Sequence, residues 1–127
     1  MEGEIKKVSE VCVVYYNSGQ FEKAEAECTE LLEKYESDKN NSQLAVIFNN
    51  RGHARYMQVE FYTAKDDFDE AIKRDPMLAS AYYNKATILY RMGDYIEALK
   101  DFKKSIDLEP DNEEFREGLE SCQACVA

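Results

Sequence analysis

The chain has 127 residues, of which 44% are hydrophobic and 33% are charged, and its formal net charge is −10. This size predicts one soluble domain, and the negative charge argues against a nucleic-acid ligand, because phosphates would be repelled without a strong local basic patch. No apolar run reaches the length of a membrane span and no signal peptide opens the chain, so we expect a cytoplasmic protein without membrane contact whose cysteines are reduced.

Apolar residues recur at helical spacing along the chain, and turn residues separate the stretches in which they do so. Gly19 and Gly93 suit the left-handed residue that follows a helix, and Pro110 cannot continue one. A polar loop covers residues 37–41, and Asn41 or Ser42 can cap the helix that follows. Seven helices are predicted, at residues 4–17, 21–35, 42–58, 61–74, 78–91, 94–108 and 113–125.

Two local features of these helices call for specific predictions. Val59 stands where the other helix pairs have glycine, and a β-branched residue disfavours the left-handed conformation, so we expect a different turn at Val59-Glu60. Residues 111–114, Asp-Asn-Glu-Glu, predict an N-cap with a reciprocal glutamate for the last helix. That helix carries Phe115, Leu119 and Cys122 on one face, and we expect it to cover the apolar side of the preceding pair.

The same residue types return with a period of 34 residues. Small residues such as Ala86 and Ala98 let two helices approach closely, and Phe102 fills the space beside them. Residues 79–112 carry the full pattern, residues 45–78 repeat most of it, and residues 5–38 fit less well because Glu36 replaces the proline. The pattern consists of Tyr82, Ala86, Leu89, Gly93, Ala98, Phe102 and Pro110, with Phe48, Gly52, Ala64, Phe68, Ala71 and Pro76 one period earlier.

This pattern resembles the tetratricopeptide repeat (TPR) family. The resemblance implies an all-α TPR solenoid, a right-handed superhelix of three helix-turn-helix repeats and a C-terminal capping helix. It also implies a single domain over residues 1–127, in which the first helix of each repeat lines a concave groove. The repeats would cover residues 5–38, 45–78 and 79–112, with an insert at residues 39–44 and the capping helix at residues 113–125.

In the TPR family the groove is lined by positions 2, 5, 9, 12 and 13 of each repeat. Tyr16, Tyr56 and Tyr90 share position 12, where tyrosine would offer a large apolar face and one polar tip to a peptide. The alternative is that these tyrosines mainly pack between neighbouring repeats. The candidate partner-binding residues are Val13, Tyr16, Asn17, Asn49, Asn50, His53, Tyr56, Tyr83, Thr87, Tyr90 and Arg91.

Some TPR co-chaperones hold the C-terminal carboxylate of heat-shock proteins with five lysine, arginine and asparagine side chains. A carboxylate needs cationic donors to offset its desolvation. Asn50 alone matches that set, and the three cationic places hold neutral residues. The five equivalent positions are Ser9, Val13, Asn50, Ser80 and Asn84.

Two arginines, Arg51 and Arg55, occupy positions that are normally apolar. They could meet an acidic ligand, but we favour pairing with acids of the first repeat such as Glu27 or Glu30. His53 is the single histidine of the chain, and without a recognisable nucleophile motif it is better explained as a polar groove residue than as a catalytic one.

The cysteines give no metal motif. Cys122 and Cys125 form one Cys-x-x-Cys pair, whereas a structural zinc site needs four ligands. Cys12 and Cys28 are expected to face each other inside the first repeat. Because phosphate loops, paired catalytic carboxylates and nucleophile elbows are also missing, we predict no enzyme activity, no metal and no cofactor.

The sequence therefore favours a monomeric, non-catalytic adaptor that binds a peptide segment of a partner protein in its concave groove. Two alternatives remain open. One is a co-chaperone-like protein that binds heat-shock protein C-termini through an incomplete clamp. The other is a structural subunit of a larger assembly, which predicts an exposed apolar patch.

Overall fold

The computed structural model describes residues 1–126, where the chain folds into seven α-helices and one short 3-10 helix, with no strand. The all-α prediction is confirmed, and each helix begins and ends within a few residues of its predicted bounds. The α-helices are α1 (Glu2–Asn17), α2 (Phe21–Lys34), α3 (Ala45–Met57), α4 (Phe61–Arg74), α5 (Ala79–Arg91), α6 (Tyr95–Leu108) and α7 (Glu113–Val126).

The helices fall into two compact units, Met1–Pro76 with α1 to α4 and Met77–Ala127 with α5 to α7. The assignment of residues 1–127 to one domain stays a prediction. In the first unit, α3 packs against α1, α2 and α4. The core of this unit brings together apolar side chains from α1, α2, α3 and the short 3-10 helix that precedes α3, namely Cys12, Ala24, Cys28, Leu31, Leu32, Leu44, Ile47 and Ala54.

The segment between the first two helix pairs is ordered by hydrogen bonds. The Asn41 side-chain oxygen accepts from the Gln43 amide at 2.8 Å, which begins a 3-10 helix over Ser42–Leu44. The α-helix therefore starts later than the sequence predicted, at Ala45. Arg74 of α4 donates to the carbonyl oxygens of Asp38 and Asn41, at 3.2 and 3.4 Å, and so joins this segment to α4.

The three helix-pair turns within residues 1–126 share one geometry. Gly19, Val59 and Gly93 all have positive φ, at 73°, 64° and 82°. The residue after each donates its amide to a carbonyl five residues earlier, as Glu60 does to Arg55 at 2.9 Å. The prediction of a different turn at Val59 is thus wrong. The packing of α3 on α4 fixes the turn and outweighs a local cost of roughly 1–2 kcal/mol.

Replacing Val59 by glycine should raise the free energy of unfolding by about 0.5–1 kcal/mol. The exchange removes the left-handed strain of a valine that is 71% exposed, and the greater freedom of glycine in the unfolded chain offsets part of the gain. Urea denaturation measures the effect. The matched exchange Gly93→Val should lower stability by about 1–2 kcal/mol. A less stable Val59→Gly protein would show that the valine side chain makes a contact worth more than its strain.

In the second unit, α7 packs against both α5 and α6. Phe115 of α7 is buried and stacks on Tyr83 with ring centroids 4.8 Å apart. Asn112 caps α7 by accepting from the Phe115 amide at 3.2 Å. The sequence predicted a reciprocal glutamate at the third position of this helix. That prediction is wrong, because the helix begins at Glu113 and its third residue is Phe115. The core residues are Ala86, Leu89, Ala98, Phe102 and Cys122.

Candidate functional site

Seven of the predicted partner-binding residues lie on α1 and α3, two helices that pack against each other in the first unit. The Asn50 amide donates to the Ser9 hydroxyl at 3.3 Å, and the Tyr16 hydroxyl donates to the Asn50 carbonyl. Burial raises the pKa of the Tyr16 phenol, which keeps it protonated as a donor. We call these seven residues the α1/α3 surface; they are Val13, Tyr16, Asn17, Asn49, Asn50, His53 and Tyr56.

Aromatic rings form a continuous series along this surface. Tyr16 meets His53 edge-on at 4.9 Å between centroids, and His53 stacks on Tyr56 at 6.5 Å. At the two ends, Tyr16 packs on Phe21 and Tyr56 packs on Phe61, at 6.3 and 5.6 Å. Phe21 and Phe61 are the first residues of α2 and α4. Both tyrosines therefore have a packing role, and contact with a ligand stays a prediction.

The other four predicted residues, Tyr83, Thr87, Tyr90 and Arg91, lie on α5 in the second unit. Helix α7 contacts two of them: Tyr83 stacks on Phe115, and the Cys125 thiol donates to the Tyr90 hydroxyl at 3.7 Å. The Thr87 hydroxyl donates to the Tyr83 carbonyl at 2.9 Å, whereas Arg91 is exposed. The sequence did not predict that α7 would reach these tyrosines.

Arg51 and Arg55 both reach Asp67 of α4, and together they form a cluster with Glu25. Arg51 donates to both carboxylate oxygens of Asp67, at 2.7 and 2.9 Å. Arg55 donates to Asp67 at 3.1 Å and to Glu25 of α2 at 2.8 Å. Glu25 is partly buried, but hydrogen bonds from Arg55 and Gln58 lower its pKa.

The predicted pairing with acids of the first repeat is thus confirmed for Arg55, although its partner there is neither Glu27 nor Glu30. It is wrong for Arg51, which pairs with an acid of its own repeat. The acid that faces α3 from α2 is Glu25, and the central carboxylate is Asp67. A signal for Asp67 existed in the sequence. It falls within the apolar stripe of α4 formed by Ala64, Phe68 and Ala71, where a charge needs a buried partner.

Two further observations concern the predicted chemistry. Cys12 and Cys28 do face each other, with their sulfur atoms 3.5 Å apart. Within residues 1–126, no group of three His, Cys, Asp or Glu residues is placed to hold a metal ion.

In the same part of the chain, no helix combines the length and apolarity needed to cross a membrane.

Comparisons with known proteins agree with this fold. Residues 79–112 match the model of the tetratricopeptide repeat family. The chain is 26% identical to U-box domain-containing protein 70 of Oryza sativa subsp. japonica over 112 residues, 88% of the chain. It is 37% identical to Protein STIP1 homolog of Dictyostelium discoideum over 71 residues, 56% of the chain. The matched region spans only 13% of the length of each relative.

Among solved structures, the first TPR domain of Spaghetti (RPAP3), bound to the HSP90 peptide SRMEEVD, aligns with a TM-score of 0.85. The alignment covers 99% of this chain and 98% of that one at 22% identity. The chain is therefore an all-α protein with the fold of TPR domains. It carries a tetratricopeptide repeat at residues 79–112.

Proposed function

We propose that the protein is a non-catalytic adaptor that binds a peptide segment of a partner protein on its α1/α3 surface. The four predicted residues on α5 are proposed as further contacts of the peptide; they are Tyr83, Thr87, Tyr90 and Arg91. We also propose that the protein is a monomer, that it acts in the cytoplasm and that it binds no nucleic acid. The observation that carries the proposal is the distribution of charge over the groove positions of the family.

These groove positions lack acidic residues although the chain is strongly acidic. Asp and Glu make up 26 of the 127 residues, so an even distribution would place about three among the fifteen positions, and none is there. The positions in the first unit are Lys6, Ser9, Val13, Tyr16, Asn17, Val46, Asn49, His53, Tyr56 and Met57, and those in the second are Ser80, Tyr83, Thr87, Tyr90 and Arg91.

The remaining side chains suit a peptide. Val13, Val46 and Met57 are exposed apolar residues, which can contact the apolar side chains of a ligand. Asparagine, serine and tyrosine supply donors and acceptors for a peptide backbone. The TPR domain of Spaghetti (RPAP3) bound to the HSP90 peptide SRMEEVD supports the proposal, because it is a domain of the same fold that binds a peptide.

Adjacent valines on α1 allow a matched test. Val13 lies on the α1/α3 surface and is 54% exposed, whereas Val14 lies outside it and is 65% exposed. Peptides selected from a display library on the wild-type protein should bind the Val13→Glu variant at least tenfold more weakly, because a ligand contact would bring a buried charge into the interface. The Val14→Glu variant should bind within about twofold of wild type. Isothermal titration calorimetry measures both.

Equal binding by the two variants would place the peptide elsewhere and refute the proposed surface. Circular dichroism should show the same helicity in both, since each valine is exposed. Tyr83 is unsuitable for this test, because its ring packs between Phe102 and Phe115 and its removal would loosen α7.

A second candidate function is binding of heat-shock protein C-termini, which the fold shared with the HSP90-peptide-bound domain favours. The neutral side chains of Ser9, Ser80 and Asn84 argue against it, because they stand at the three cationic places of the clamp and offer no cation to a terminal carboxylate. The peptide SRMEEVD should therefore bind weakly or not at all. Micromolar binding that is lost in an Asn50→Ala variant would reverse this preference.

A further inference from the structure

The three repeats fill one core position in two different ways. In the second repeat Gly52 lies against Phe68, and a Cβ atom added to Gly52 would come 2.6 Å from that ring. The third repeat has Ala86 and Phe102 at the equivalent places, and both belong to its core. The first repeat replaces this small-against-aromatic arrangement with two thiols, Cys12 on α1 and Cys28 on α2.

The two thiols are in contact and fully buried. Their sulfur atoms lie 3.5 Å apart, each residue is 0% exposed, and the Cys12 sulfur is 3.8 Å from the Ala24 carbonyl oxygen. A disulfide has a sulfur–sulfur distance of about 2.05 Å, so the atoms must approach by roughly 1.5 Å. Rotation about the side-chain bonds of both cysteines, with any remaining adjustment of α1 against α2, must supply this movement.

We propose that Cys12 and Cys28 are a modification site at which a peroxide forms an intramolecular disulfide between α1 and α2. In the first step the Cys12 thiolate attacks one oxygen of hydrogen peroxide, and the other oxygen leaves as water after taking up a proton. In the second step the Cys28 sulfur displaces the sulfenic oxygen of Cys12, which leaves as a second water. In total the two thiols lose two protons and two electrons, which is the loss of two hydrogen atoms.

The environment of each sulfur assigns the order of these steps. The hydrogen bond from Cys28 lowers the pKa of Cys12, because it stabilises the thiolate. The same hydrogen bond, together with burial, raises the pKa of Cys28. The geometry agrees: the Cys12 thiol donates to the Ala24 carbonyl, so Cys28 is the donor between the two sulfur atoms, and Cys12 is the attacking sulfur and Cys28 the resolving one. Local opening of α1 from α2 admits the small uncharged oxidant, and reclosure brings the sulfenic acid against Cys28.

A protein with Cys122→Ser and Cys125→Ser isolates this pair, since the chain has four cysteines. After treatment of this protein with hydrogen peroxide, intact mass spectrometry should show the loss of two hydrogen atoms. Peptide mapping should show the peptides of Cys12 and Cys28 linked. The melting temperature should rise on the order of 10 °C and return on reduction, because the bond closes a loop of about 15 residues in the unfolded chain.

Single substitutions in the same background test the order of attack. In a Cys28→Ala variant, dimedone should label a sulfenic acid at Cys12, whereas a Cys12→Ala variant should be labelled far more slowly at Cys28. Alanine suits Cys12 because Ala86 holds the equivalent place in the third repeat, and circular dichroism checks that the helices are kept. Two intact thiols, a disulfide only between molecules, or direct oxidation to sulfinic acid would overturn the proposal.

Discussion

Replacing Asp67 by alanine should lower the free energy of unfolding by about 3–5 kcal/mol. Asp67 is 3% exposed and accepts hydrogen bonds from both Arg51 and Arg55. Its removal leaves two largely buried guanidinium groups, of which Arg51 loses its carboxylate partner and Arg55 keeps only Glu25. Repulsion and the cost of their burial then act together. Urea denaturation followed by circular dichroism measures the loss.

The neighbouring acid provides the control. Asp66 lies on the same helix but is exposed, so Asp66→Ala should change stability by no more than about 0.5 kcal/mol. Replacing the cluster together, as Arg51→Met, Arg55→Met and Asp67→Leu, should cost far less than Asp67→Ala alone, because the acid that then loses its arginine, Glu25, is partly exposed and keeps the hydrogen bond from Gln58. A loss below about 1 kcal/mol for Asp67→Ala would mean that water screens the arginines.

Local signals explain why the helices could be predicted. The 3.6-residue spacing of apolar side chains and the glycines at Gly19 and Gly93 act through the backbone near each position. Val59 shows the limit of such reasoning. Its intrinsic preference opposes the turn, but α3 and α4 pack against each other across it, and tertiary packing dominates.

The candidate site could likewise be predicted from the sequence only in part. The 34-residue frame places Tyr16, Asn50 and His53 on one surface, and the structure does bring α1 and α3 together there. The 34-residue pattern gives no prediction for the contacts of α7, because that helix lies outside the repeats. How Phe115 and Cys125 would meet Tyr83 and Tyr90 depends on the packing angle of α7, for which the periodicity gives no information. The ion-pair partners Asp67 and Glu25 likewise depend on how α4 and α2 pack against α3, which the spacing of residues does not determine.

Introducing valine at Gly52 should lower the free energy of unfolding by about 3 kcal/mol or more. Gly52 is buried where α3 crosses α4, and its missing side chain leaves the space that Phe68 fills. Three atoms of the Phe68 ring lie 2.6, 2.8 and 3.0 Å from the place that a Cβ atom would take. Phe68 is itself 1% exposed, so its ring cannot move aside without displacing other core residues.

A double-mutant cycle separates this clash from a general intolerance of valine in the helix. Phe68→Leu alone should be destabilising, because it opens a cavity, but it should reduce the cost of Gly52→Val by at least 1 kcal/mol. Gly3→Val is the control for helix propensity, since a Cβ atom there has no neighbour within 4 Å, and it should change stability by less than about 0.5 kcal/mol. Strict additivity of Gly52→Val and Phe68→Leu would show that the ring does not determine the need for glycine.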